Sequence, residues 1–197
     1  MTRTGGDKTR KRILEVAEEL FSKNGFHATS VNQITRQAKV NKALIYYYFK
    51  DKNDIVVSLF QNILEELSGP KPDPSGQESG RGGTDIREAL KEEISFLERK
   101  KNIISVMLME SLKTHDQDTP IFKCAEMVMA REHERPKTKP VLFHEFFTGF
   151  IPLIAFVALR EKFCDYYQCD KEEALSFFVK SFKASHINSH IECKEEA

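Results

Sequence analysis

Cysteine is scarce in this chain of 197 residues, and what few there are form no framework. Cys124, Cys164, Cys169 and Cys193 are too few and too irregularly spaced for a disulfide scaffold or a zinc ribbon. The stretch Met1–Arg12 lacks the apolar core of a secretory signal, so reduced thiols in a cytoplasmic setting are the expectation. Alternation of apolar and polar residues is also scarce, which argues against strands. No nucleophile–base pairing, phosphate loop or dense set of metal ligands is present, so neither an enzyme nor a bound cofactor or metal is expected. The apolar run Val141–Leu159 has the length of a membrane span, but His144, Glu145, Gly149 and Pro152 interrupt it. A charge at the bilayer centre is costly, so the expectation is a helix buried on most of its circumference, with no membrane partner.

Net charge is absent as well, 30 Lys+Arg standing against 30 Asp+Glu, but the balance is uneven along the chain. Residues 1–55 hold 11 basic and 6 acidic side chains, and the remainder holds 19 basic and 24 acidic. A basic head on an acidic body suits a surface whose cations replace counterions on phosphate, and it is equally what chance unevenness of solvated charges produces.

What the chain does have is apolar residues recurring at three and four, with 40% hydrophobic and 30% charged content. This predicts an all-α protein, with a three-helix helix-turn-helix head ahead of a helical body. A first helix is expected over 8–23, with Ile13, Leu14, Ala17, Leu20 and Phe21 on one stripe and Asn24-Gly25 ending it. Ser30-Val31-Asn32-Gln33 has the spacing of a capping box, starting a short helix that buries Val31, Ile34 and Ala38. Asn41 is placed to cap a third helix, Lys42–Tyr48, with Ile45 and Phe49 turned inward. Asp51 is placed to cap a fourth, reaching about Leu67. Residues 7–67 are thus read as one domain. Ser68–Thr84 has three prolines, five glycines and no large apolar residue, so it is read as a flexible linker. Helical patterns resume over 85–192, read as the second domain, with expected helices at 85–100, 102–112, 121–134, 141–163 and 170–191.

Short helices joined by about three residues are what a helix-turn-helix requires, the second of the pair presenting its leading residues to base edges in the major groove. Here that helix leads with Lys42, Ala43 and Leu44, and also turns out Tyr46 and Tyr47. A lysine can reach guanine O6/N7, small apolar groups fit thymine methyls, and tyrosine hydroxyls bind phosphate or base. Lys50 and Lys52 stand where the fourth helix begins, beside its free amides, and Thr29 and Ser30 stand likewise at the second.

Over residues 9–67 the chain resembles the head of the TetR (tetracycline-repressor) family. The matching pieces are RILEVAEELF, NGFHATSVNQI and VNKALIYYYFKDKNDI. The resemblance implies a helical ligand-binding and dimerisation body behind the head, and a homodimer on a near-palindromic double-stranded DNA operator, usually a repressor released by a small molecule. By position it implies phosphate contact and capping by Thr29 and Ser30, approach to the groove by Asn32, and base contact by Lys42, Ala43 and Leu44. Phosphate contact by Tyr46, Tyr47 and Lys52 is implied too, Tyr47 also reaching a base. Two features depart from the family pattern. Lys39 occupies the turn where the family often has glycine, and the Ser68–Thr84 segment replaces a short turn.

In the body, Phe and Met are abundant, and they suit either a pocket for a greasy effector or plain core packing. The effector candidates are Met107, Met127, Phe143, His144 and Phe147, with His144 as a polar anchor. Leu153, Ile154, Phe156, Val157 and Leu159, with Leu175, Phe177, Phe178 and Phe182, are more apolar than one core-facing stripe needs, so the last two helices are assigned to the homodimer interface. His186, His190 and Cys193 share a helical face at metal-ligand spacing, but a solvated C-terminal helix is the preferred reading. Cys164 and Cys169 suit a redox pair or, more simply, structural thiols. The principal functional alternative is a DNA-binding architectural or occlusion protein that uses the same head without a ligand.

Overall fold

The computed structural model describes residues 3–68, 86–113, 119–132 and 138–187. Every regular element among them is helical, as the spacing of apolar residues requires. Helix α1 spans Arg3–Asn24, α2 Val31–Ala38, α3 Lys42–Tyr48, α4 Lys52–Ser68, α5 Ile86–Arg99, α6 Lys101–Lys113 and α7 Pro120–Glu132. Then come α8, Lys139–His144, a π-helical segment Glu145–Phe150, α9, Ile151–Tyr167, α10, Lys171–Phe182, and a second π-helical segment Lys183–Ile187.

The chain divides into two compact units, Met1–Ile63 with Asn102–Cys124, and Leu64–Lys101 with Ala125–Ala197. The segment 69–85 lies outside the described residues, and with it most of the expected linker.

In the first unit, Ile13, Leu14, Ala17, Leu20 and Phe21 of α1 are buried, and Gly25 follows at φ 82°, the left-handed position that ends the helix. α1 starts five residues before the expected Lys8. Its first turns bear no apolar stripe, so periodicity could not show them, yet each residue added to an existing helix costs little. Gly6 there lies close to the Tyr48 hydroxyl, from which an added Cβ would be 3.3 Å. Ile34 and Ala38 of α2, Ile45 and Phe49 around α3, and Ile55, Leu59 and Phe60 of α4 complete the helix-turn-helix core. Ile103, Ile104 and Met107 of α6 are buried in the same unit.

In the second unit, α5 buries Leu90, Ile94 and Leu97 and packs on α9 and α10. The Phe156 and Phe178 rings stack at 4.0 Å between α9 and α10. Arg160 of α9 donates to Glu98 of α5 at 2.7 Å, with both side chains mostly buried. The expected helices over 141–163 and 170–191 are interrupted by π turns, which change hydrogen bonding without altering the apolar pattern that sequence reading relies on. The two turns meet: a Cβ at Gly149 would lie 2.6 Å from His186 Cε1, so the backbone approaches the imidazole as only glycine allows. Thr148 Oγ1 is 2.9 Å from His186 Nδ1, the His144 and His186 rings stack at 5.0 Å, and Glu145 is buried with an oxygen 3.9 Å from His186 Nε2. His190 and Cys193, grouped with His186 by spacing, lie outside the described residues.

The continuous helical run Lys139–Tyr167 is long and apolar enough to cross a membrane by length and composition. Two of its charged groups nonetheless have protein partners, Glu145 at His186 and Arg160 at Glu98.

Candidate nucleic-acid interface

The geometry of the helix-turn-helix follows from three local signals. Ser30 is the N-cap of α2: its hydroxyl accepts from the Gln33 amide at 3.2 Å, and the Gln33 side chain accepts from the Ser30 amide at 2.7 Å, a complete capping box. At the other end Lys39 sits at φ 52°, ψ 45°, with its amide on Arg36 and that of Val40 on Thr35. This closes the turn in a Schellman manner. Asn41 then starts α3, its side-chain oxygen accepting from the Leu44 amide at 2.8 Å.

Lys39 therefore adopts the strained conformation that the missing glycine implied. A left-handed non-glycine residue costs on the order of 1 kcal/mol. Lys39→Gly is expected to raise the stability of the first unit by about 0.5–1 kcal/mol, read as a higher urea midpoint with an unchanged m-value.

Between these caps α3 is oriented by its buried side. Ile45 and Phe49 are each 1% exposed, while Lys42, Ala43, Tyr46 and Tyr47 face solvent, Tyr47 at 78%. Leu44 is half-buried. The Lys42 ammonium lies 5.8 Å from the centre of the Tyr46 ring, and Tyr47 meets Tyr48 edge to face. Asn32 and Ser30 are exposed on α2 and its cap. Gln37 donates to Glu19 at 2.9 Å, tying α2 to α1. Seven of the nine residues expected at DNA thus stand exposed or half-exposed around α2 and α3.

Two are placed differently. Thr29 is fully buried, its hydroxyl donating to the Leu20 and Gly25 carbonyls, where it pins the α1–α2 connection and offers nothing to phosphate. Lys52 is half-buried. Its ammonium donates to the carbonyls of Phe26 and Thr29, both at 2.8 Å, and sits 4.2 Å from the Phe26 ring centre. Burial lowers its pKa from the usual lysine range, opposed by the nearby charge of Glu110. Sequence position alone put both at the surface because a hydroxyl and an ammonium are ordinarily solvated. Only the folded connection shows carbonyls waiting for them. Of the α4 amides expected to attract an anion, that of Asp54 is taken by the Asp51 carboxylate, and the Asp54 carboxylate reaches back to accept from the Lys50 amide.

Sequence reading missed what α6 supplies to this unit. Glu110 is buried with an oxygen 2.9 Å from His27 Nε2, and Lys113 lies 2.8 Å from the same nitrogen. The two residues are 83 and 86 positions from His27, and no local pattern connects them.

The effector candidates fall in both units. Met107 is wholly buried in the first unit, and Met127 is half-buried in the second. Phe143 and Phe147 form an exposed aromatic pair one turn apart, their rings 4.7 Å from each other. His144 is half-buried and engaged with Thr148 and His186.

Residues 13–59 match the family described as bacterial regulatory proteins, tetR family. The chain is 42% identical over 59 residues to the HTH-type transcriptional regulator HbdR of Aromatoleum sp. (strain CIB), covering 30% of this chain and 26% of that one. It is 39% identical over 62 residues to the HTH-type transcriptional repressor NicS of Pseudomonas putida, covering 32% and 29%. It is 29% identical over 114 residues to the uncharacterised regulator YhgD of Bacillus subtilis, covering 58% and 51%. The match thus spans between about a quarter and a half of these relatives. Among solved structures, a TetR-family regulator from Syntrophomonas wolfei superposes with a TM-score of 0.57 at 17% identity, covering 92% of this chain and 96% of that one. A transcriptional regulator from Rhodococcus sp. Rha1 superposes at 0.53 and 15%, covering 89% and 96%. At such identity these two show the shared fold.

Proposed function

We propose, from the match of residues 13–59 to the bacterial regulatory proteins of the tetR family, a TetR-type sequence-specific DNA-binding transcriptional regulator, acting as a homodimer on a near-palindromic operator. The carrying observation is α3: two buried anchors, Ile45 and Phe49, hold out a row of groups that pair with bases and phosphates. In this reading Lys42, Ala43 and Leu44 meet base edges, Tyr46 and Tyr47 meet phosphate, and Ser30 and Asn32 approach from α2. Thr29 and Lys52 act by shaping the loop before α2. Functionally, 7–67 is the reading head and 85–192 the controlling body.

The dimer reading rests on the last two helices. Leu159, Phe163, Tyr166 and Tyr167 of α9 and Phe177 of α10 are exposed although the opposite sides of both helices are already buried. A second copy of the same face is the occupant proposed, since an isologous four-helix contact would cover both at once. Repression with release by a small apolar effector follows from the family reading. Its polar end is assigned to His144 with Thr148, the one candidate that the fold places among other polar groups. The exposure of Phe143 and Phe147 favours the second reading, an occlusion protein that needs no ligand.

Binding to the chain's own promoter region, followed by fluorescence anisotropy at several salt concentrations, tests the head. Affinity should fall steeply with salt. Tyr47→Ala should weaken it about tenfold, or 1.4 kcal/mol, with the melting temperature unchanged because the side chain packs mainly on solvent. Salt-insensitive binding, or no effect of Tyr47→Ala, would sink the assignment. Selection of bound fragments from a random pool would then give the operator, and its length the half-site spacing of the dimer.

A further inference from the structure

Helix α9 ends in a corner that brings two thiols together. Gln168 follows Tyr167 at φ 53°, ψ 42°, and both its amide and that of Cys169 return to the Cys164 carbonyl, the latter at 3.1 Å. In a corner of this kind the residue after the left-handed one folds back onto the helix residue five positions earlier, and their side chains touch. That contact is commonly between two hydrophobic groups; here both members are cysteines. Cys164 is buried and Cys169 half-buried, and both are free thiols. The Cys164 thiol also lies 3.9 Å from the Asp170 carbonyl, so it is held between the end of α9 and the cap of α10. Burial and then the hydrogen bond with the Cys169 thiol push the Cys164 pKa up, while Arg160 and Lys171 pull it down. The more accessible Cys169 is the thiol that meets an oxidant first, and buried Cys164 is the one that resolves it.

We propose that Cys164 and Cys169 are a dithiol modification site, which closes to an intramolecular disulfide across the α9–α10 corner on reaction with a small-molecule disulfide. Cys169, as its thiolate, attacks one sulfur of the reagent, forms a mixed disulfide and expels one thiolate. Cys164 then loses its proton, attacks the Cys169 sulfur and expels the second thiolate. The two protein thiols give up two electrons and two protons, and the reagent is reduced to two thiols. The closed form staples the last turn of α9 to the residue before the α10 cap. Cys124 has no such role, since it is wholly buried in the first unit and burial pushes its thiol far up.

The test equilibrates the full chain with graded ratios of oxidised to reduced glutathione, once folded and once in urea, followed by alkylation, intact mass and peptide mapping. The folded chain should lose the Cys164 and Cys169 thiols together, carry no glutathione on either, and yield one linked peptide pair joining Cys164 to Cys169. Its disulfide should be favoured at least tenfold over that of the urea-unfolded chain, about 30 mV for a two-electron couple. Cys169→Ser should leave Cys164 unmodified, and Cys124→Ser should change nothing. The proposal is overturned by a glutathione adduct that persists on Cys169 beside a free Cys164, by a pairing with Cys193 instead, or by an equilibrium no different in urea. The folded-against-unfolded comparison uses the unaltered chain, so it stands even if a serine variant folds poorly.

Discussion

Phe49→Ala is expected to lower the stability of the first unit by about 3–5 kcal/mol, the usual cost of emptying a buried phenylalanine site. Phe49 is 1% exposed and closes α3, its amide donating to the Ile45 carbonyl at 2.8 Å. Its ring lies 5.4 Å from the Arg10 guanidinium of α1 and against Tyr48. One side chain therefore anchors the end of α3 to α1 as well as filling the core. With the ring gone, the outward row from Lys42 to Tyr47 loses its anchor, so DNA binding should weaken sharply as the unfolding midpoint falls. Urea denaturation followed by circular dichroism measures the first effect and anisotropy the second. A loss below about 1 kcal/mol with full binding would show that Ile45 alone holds α3 in place.

Lys52→Ala should cost about 3 kcal/mol. It leaves the Phe26 and Thr29 carbonyls without their shared donor and removes the ammonium from the Phe26 ring. Hydrogen bonds from a charged donor are each worth about 1.5–3 kcal/mol, and the figure is kept near the lower end of their sum because Lys52 is only half-buried. The same change separates two roles for this lysine. If it were a phosphate anchor, stability would hold and the salt dependence of DNA binding would flatten by about one unit of slope. With Lys52 bonded inward, the denaturation midpoint should fall while the slope at folded concentrations stays the same. Denaturation and salt titration on one preparation decide between them.

Much of the head could be read before it was seen because its signals are local. Capping by Ser30, Asn41 and Asp51 depends on residues three positions away, and each bond forms as expected. The left-handed Lys39 could be anticipated from the turn it must make. The site itself was legible wherever exposure follows from helical phase: Tyr46 and Tyr47 face out because Ile45 and Phe49 face in. Prediction failed at Thr29 and Lys52, whose partners are carbonyls of the last turn of α1 and of the irregular connection after it, which no periodicity places. It also failed at the π turns, because Gly149 and His186 are 37 positions apart and their close approach leaves no trace in an apolar pattern.

The sequence by itself determined the helical class of the described residues, the bounds of α2 and α3, the outward row on α3 and the likeness of its head to the tetR family. These depend on the spacing of neighbours within one or two turns, which the backbone geometry of a helix translates directly into faces and caps. Only the tertiary structure decided that Lys52 is bonded inward and that Glu110 of α6 reaches His27 of the head's own unit. It alone decided, too, that His144 stacks on His186 beside Gly149 and that Cys164 and Cys169 share a corner. The reason is common to all four. A polar side chain has several partners within reach in an unfolded chain, and packing, which excludes water and brings distant backbone close, selects one.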